Sequence, residues 1–272
     1  PSSVSRFLSG KSTLTLGSAL RVYDAVHTTL PLADKRALLE ASGLLPFAVS
    51  LGQDMLLLSE PGASFLPAEL GYQAALKLMS AGYELRSQAP EIAKRYFRAA
   101  ERAFGTGSSQ AAMGALYIVA ANLHIGEYEQ ARQELVRIQR MYSPIMDPQT
   151  KWVFHSKWGW YHYDVHNIVA AEHELKTALK IAERIGDQTG IIDCQHFLGL
   201  ISLRGGQNTD VSKQADRMLY QAGELFDRCY ELRNRLNLGD EGSKAFDLTR
   251  KSEVLLEQGR WREARELRRR AR

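Results

Sequence analysis

The chain is poor in cysteine. Only Cys194 and Cys229 occur among its 272 residues. Two thiols cannot build a disulfide framework or a metal cluster, and such usage fits a reducing compartment. Long apolar runs are also missing. The longest, Leu44 to Leu51, falls far short of the roughly 20 residues a membrane helix needs, so no membrane partner is expected. No stretch shows the basic, apolar and small-residue order of a signal peptide, and the expected location is cytoplasmic. Proline is scarce, at 8 residues, and confined to breaks between periodic segments. Neither sign of charge dominates: 35 Lys and Arg against 31 Asp and Glu leave +4, which permits nucleic-acid binding without requiring it. At 44% hydrophobic residues the composition excludes global disorder.

Motifs for chemistry are lacking too. Gly10-Lys11-Ser12 has no upstream glycine to form a phosphate loop, and the Gly/Ser stretch after Phe104 does not follow a strand. There is no Gly-x-Ser-x-Gly elbow, and neither cysteine has a catalytic setting. His155, His162, His166 and His173 invite a metal reading. However, His166 falls at a predicted turn, and no glutamate follows His162 in the zinc-protease order. They read as structural or groove histidines. No catalytic residue, metal or cofactor is expected, and the chain does not read as an enzyme.

What is present is helical periodicity. Trp152 to Arg184 reads as two helices joined at His166-Asn167. The first carries Trp152, His155, Trp158, Gly159 and His162 at helical spacing; the second carries Ile168, Ala171, Leu175 and Ala178 on one face. Large residues facing small ones let two helices pack closely as an antiparallel pair. Such a pair leaves apolar surface at both ends and needs neighbours of its own kind. The neighbours are there: Ala93-x3-Phe97-x2-Ala100, Ala131-x3-Leu135-x2-Ile138 and Ala171-x3-Leu175-x2-Ala178 repeat one pattern at intervals of 38 and 40 residues.

This repetition resembles the tetratricopeptide repeat (TPR) family. The resemblance rests on Gly126, Tyr128 and Ala131, on Trp158-Gly159 with Ala171 and Ala178, on Leu198-Gly199, and on Gly259, Trp261 and Ala264. The period exceeds the family's 34 residues, so longer helices or loops are expected. The resemblance implies an all-α fold: a right-handed TPR-like superhelix over residues 71–272, with prolines at boundaries. After Gly205-Gly206 an insertion, QNTDVSKQAD, is expected before a long helix. The Arg-rich final helix reads as a polar terminal cap or as a nucleic-acid patch.

Residues 1–30 read as a small helical head, and 31–70 as a helical connector broken by Pro46, Pro61 and Pro67. Ser3, Ser5, Arg6, Gly10 and Lys11, then Leu16, Ala19, Leu20 and Ala25, resemble the second half of the phage-repressor (XRE-type) helix-turn-helix family. That resemblance implies that Ser3, Ser5 and Arg6 reach base edges, and that Lys11, Ser12 and Thr13 hold the DNA backbone. It places two further helices upstream of Pro1. The alternative is an ordinary helix pair capping the solenoid.

In TPR proteins the first helix of each pair lines a concave groove. Carried onto this sequence, the ligand positions are Arg86; Leu116 and His124; Ser156, Trp160, Tyr163 and Asp164; and Asp193, His196 and Arg204, with Asn122 beside them to clamp a peptide backbone through its amide. Arg86, His124, Asp164 and Arg204 are equivalent and should form a polar track. Trp160 and Tyr163 would give flat contacts at small ordering cost, or belong to the core, as Trp152, Trp158 and Tyr161 are expected to. Together the resemblances imply a homodimeric transcriptional regulator, with DNA bound at the head and a signal peptide or partner protein in the groove. The rival is a TPR scaffold that never touches DNA.

Overall fold

A computed structural model describes residues 68–86, 89–105, 107–239 and 241–271. The head, nearly all of the connector, and the DNA-binding candidates Ser3, Ser5, Arg6, Lys11, Ser12 and Thr13 lie outside the described residues. Among the described residues the fold is all-α, with ten helices and no strand. They are α1 (Ala68–Leu85), α2 (Pro90–Phe104), α3 (Ser109–His124), α4 (Tyr128–Tyr142), α5 (Pro148–Asp164), α6 (Ile168–Ile185), α7 (Gln188–Gln207), α8 (Ser212–Leu236), α9 (Glu241–Glu257) and α10 (Trp261–Arg270).

Local chemistry sets the helix starts. Pro90 and Pro148 stand in the first turns of α2 and α5, where no N–H is needed. The side chains of Ser108, Asp147 and Asp187 accept the backbone N–H of Ala111 (3.1 Å), Thr150 (2.7 Å) and Gly190 (3.0 Å), each satisfying a donor the helix leaves free.

Five interhelical turns repeat one geometry, at Gly126, His166, Gly186, Asn237 and Gly259, and three of them join the helices of an expected hairpin. The N–H of Gly126, His166 and Gly259 bonds the carbonyl of Leu123, Tyr163 and Leu256; the next N–H reaches Asn122, His162 and Leu255. All three residues are left-handed, at φ +79°, +64° and +75°. Glycine takes that conformation freely, whereas His166 occupies it at a cost.

The repeated sequence pattern is the buried face of the second helices. Ala93, Phe97 and Ala100 on α2, Ala131, Leu135 and Ile138 on α4, and Ala171, Leu175 and Ala178 on α6 are all fully buried. A fully buried Leu or Phe side chain stabilises by roughly 2–3 kcal/mol, so the pattern outweighs weak local preferences.

The helices fall into two compact units, α1–α4 and α5–α10. In the first, each helix packs on the next. Gly82 lets α1 approach the Phe97 ring, and Tyr72 meets Phe104 edge-on at 5.4 Å, so α1 and α2 run antiparallel. Charge ties α2 to α4. Arg98 donates to Glu134 at 2.9 and 3.1 Å, Arg137 to Glu101 at 2.6 Å, and the Tyr142 hydroxyl to Glu101 at 2.8 Å. Glu101, Glu134 and Tyr142 are buried. Every charge in this network is hydrogen-bonded, which is the condition for tolerating it away from water.

In the second unit each helix again packs on the next. In addition α5 packs on α7 and α7 on α9, so these three form one layer. A Cβ on Gly159 would lie 2.6 Å from Leu175 Cγ, so glycine is what admits Leu175. Trp152 packs with Ala178 and Ala182 further along α6, making the pair antiparallel. The expected insertion after Gly205-Gly206 is corrected here. Both glycines lie inside α7, and α8 already begins at Ser212. A Cβ on Gly206 would stand 2.7 Å from Leu219 Cγ. These glycines permit close packing of two helices and do not end one.

Candidate functional site

In the first unit the expected ligand positions fall on unlike ground. Arg86, just past α1, is exposed; its guanidinium lies 3.6 Å from the Tyr83 ring centroid and donates to the Tyr83 carbonyl. His124, ending α3, is exposed. Asn122 is buried, and its Oδ1 has no hydrogen-bond partner among the described residues. Leu116 is a correction: it is wholly buried in α3, which has buried residues on almost every side. Charges at the C-terminal ends of α1 and α3 also suit the helix dipole, so they need no ligand to explain them.

The second unit brings more of the expected residues together. Lys157, Trp160 and Asp164 lie three and four residues apart on α5, hence along one side of it. Trp160 is half-buried and meets Phe197 of α7 at 5.6 Å between ring centroids. Next to Phe197, the His196 imidazole stacks on Phe246 of α9 at 5.0 Å. One aromatic series thus crosses α5, α7 and α9. Cations lie against its members and neighbours: Lys157 Nζ at 5.2 Å from the Trp160 ring, Arg204 at 4.6 Å from Tyr163, and Arg250 at 4.7 Å from Phe246. Each arrangement is a cation–π contact.

Ser156 is a second correction. It shares the α6-facing side of α5 with Trp152 and Gly159 and is buried, not open to a ligand. Trp152 is buried as core, while Trp158 and Tyr161 are half-buried, Trp158 stacking on His162 and Tyr161 meeting it edge-on. Arg204 donates to the Tyr163 carbonyl at 3.1 Å, which fixes its guanidinium over the Tyr163 ring.

His196 is part of a buried network. Its Nδ1 lies 2.8 Å from Asp247 Oδ1; Arg233 donates its Nε–H to the other oxygen at 2.9 Å and reaches Asp193 at 3.4 Å. Asp247 is fully buried. His196 Nε2 has no partner among the described residues.

The electrostatics of this face are unbalanced. Burial raises the Asp164 carboxyl above its ordinary range, partly offset by a hydrogen bond from Trp160 and by the charge of Arg204. Burial likewise raises Asp193, against the pull of Lys157 and Arg233. Lys157 is lowered by burial, with Asp193 opposing. All three shifts disfavour the charged form of groups that remain partly exposed.

Sequence reasoning missed Lys157, Phe197, Arg233, Phe246, Asp247 and Arg250. Periodicity could have found Lys157, one turn before Trp160. Nothing local links Asp247 or Arg233 to His196. Among the described residues no group of three or more His, Cys, Asp or Glu could hold a metal ion. Nor is any of their helices long and apolar enough to cross a membrane.

No protein-family model matches the chain, and no curated protein matches it.

Proposed function

We propose that the helices form a TPR-like repeat domain that binds a peptide or a segment of a partner protein on the face made by α5, α7 and α9. The observation that carries this reading is the aromatic series Trp160, Phe197, His196 and Phe246, with cations beside it. Trp160 and Phe197 are half-buried and Phe246 is exposed, with His196 buried beneath them; aromatics anchored in this way offer large contact area with few rotamers to freeze.

In the fuller reading this domain belongs to a dimeric transcriptional regulator. Ser3, Ser5, Arg6, Lys11, Ser12 and Thr13 would contact DNA, and peptide binding would alter the spacing of two heads. That part rests on the sequence around VSRFLSGK. Fluorescence polarisation of the full chain on DNA from upstream of its own gene, across a salt series, tests it. Specific binding that weakens steeply with salt is expected. Absent or salt-insensitive binding would leave the rival, a TPR scaffold that docks a partner peptide without touching DNA.

A further inference from the structure

On the reading that this face takes a peptide, we infer that the peptide carries an acidic and a basic group on either side of an apolar residue. The acidic group is bound at Lys157, the basic group at Asp164, and the apolar side chain rests on Trp160 and Phe197.

The inference starts from two charges without partners of their own. No carboxylate among the described residues hydrogen-bonds Lys157; Asp193 acts on it only through its charge, and is itself shared with Arg233 at 3.4 Å. Asp164 accepts from the Trp160 side chain but makes no ion pair among the described residues. Arg204, whose charge acts on Asp164, is turned to the Tyr163 carbonyl and ring. By contrast, the charges that hold the fold are matched. Arg98, Glu101, Glu134 and Arg137 bond one another, as do Arg233 and Asp247.

Lys157 and Asp164 also stand on either side of one indole along α5. The ammonium lies 5.2 Å from the Trp160 ring centroid, and Asp164 follows Trp160 by four residues on the same side of the helix. Seven residues along a helix advance about 10 Å. An extended peptide rises about 3.3 Å per residue, so groups three residues apart match that span. A sheltered charge gains most from a partner that arrives with the ligand, because the partner replaces the water that burial removed. The face therefore selects charge order as well as composition.

The test is selection of random heptapeptides displayed on phage against the immobilised full chain. The Lys157→Glu/Asp164→Lys double variant is run in parallel. Enriched peptides should carry an acidic and a basic residue three apart around an apolar one, in one order on the native chain and in the opposite order on the double variant. Lys157→Met and Asp164→Asn should each weaken the selected peptide about fivefold; these two single variants decide the matter if the double variant loses its helical circular dichroism. Peptides enriched without paired charges, or in unchanged order, would overturn this inference and leave peptide binding standing. No enrichment on the native chain would overturn both.

Discussion

The imidazole Nδ1 of His196 lies 2.8 Å from Oδ1 of Asp247, although 51 residues separate them in the chain. Asp247 is fully buried and also accepts from Arg233, whose side chain is 12% exposed. One carboxylate thus neutralises a guanidinium and orients an imidazole at the junction of α7, α8 and α9. Removing it strands a charge, and a stranded buried charge costs more than the pair is worth intact.

Asp247→Ala should therefore destabilise the protein by about 3 kcal/mol, read as a lower urea midpoint by circular dichroism. The triple variant Asp247→Leu, Arg233→Met, His196→Phe should lose less than Asp247→Ala alone, because both members of the buried Arg233–Asp247 pair are removed together. A larger loss in the triple variant would mean that the network, and not its neutrality, holds α7 to α9.

His166 occupies the left-handed position that Gly126 and Gly259 fill in the matching turns. Its side chain is exposed and its turn hydrogen bonds are all backbone. His166→Gly should stabilise by up to about 1 kcal/mol, and Gly126→Ala should cost about the same. Paired thermal melts check both signs; a destabilised His166→Gly would show that the imidazole makes a contact the strain pays for.

The network between α2 and α4 predicts a response to acid and to alkali. Burial opposes the Glu134 charge, but hydrogen bonds from Arg137 and Arg98 prevail and hold its carboxyl below the ordinary value. A depressed carboxylate contributes stability above its unfolded pKa, near 4.3, and loses it as pH falls through the folded value. Burial and Glu101 push the Tyr142 hydroxyl up to about 12. That contribution is complete below about pH 10 and is lost as pH rises toward 12. Hydrogen exchange in α2 and α4 should thus accelerate below about pH 4 and above about pH 10. Glu134→Gln should flatten the acid limb, and Tyr142→Phe the alkaline one.

Cys194 and Cys229 should be inert in the folded protein. Both are buried, and burial raises both thiols, Cys194 to about 12. The thiolate is the nucleophile, so at pH 8 almost none is present. A colorimetric disulfide reagent should titrate no thiol under native conditions and both in guanidinium. Rapid native reaction would show that α7 and α8 part more readily than their packing implies.

The sequence by itself determined the helices and their buried faces. The Ala-x3-Phe/Leu-x2-Ala/Ile pattern names residues that are all fully buried, and its reading needs only the 3.6-residue period and side-chain size. Prolines and capping side chains marked several helix starts for the same reason: they act within one turn. The misjudged stretch after Gly205-Gly206 shows where that ends. Locally, two glycines break a helix; in the fold they admit Met218 and Leu219 of the next one. Trp160, Tyr163, Asp164 and Arg204 were singled out through the TPR resemblance, and the fold carries them on α5 and α7. Ser156 and Leu116 turned inward because helix rotation is set by the neighbour, which a single period cannot reveal. Only tertiary structure joined Phe197 to Trp160, Phe246 to His196, and Arg233 and His196 to Asp247. Those partners lie on different helices, and their meeting depends on how the hairpins stack.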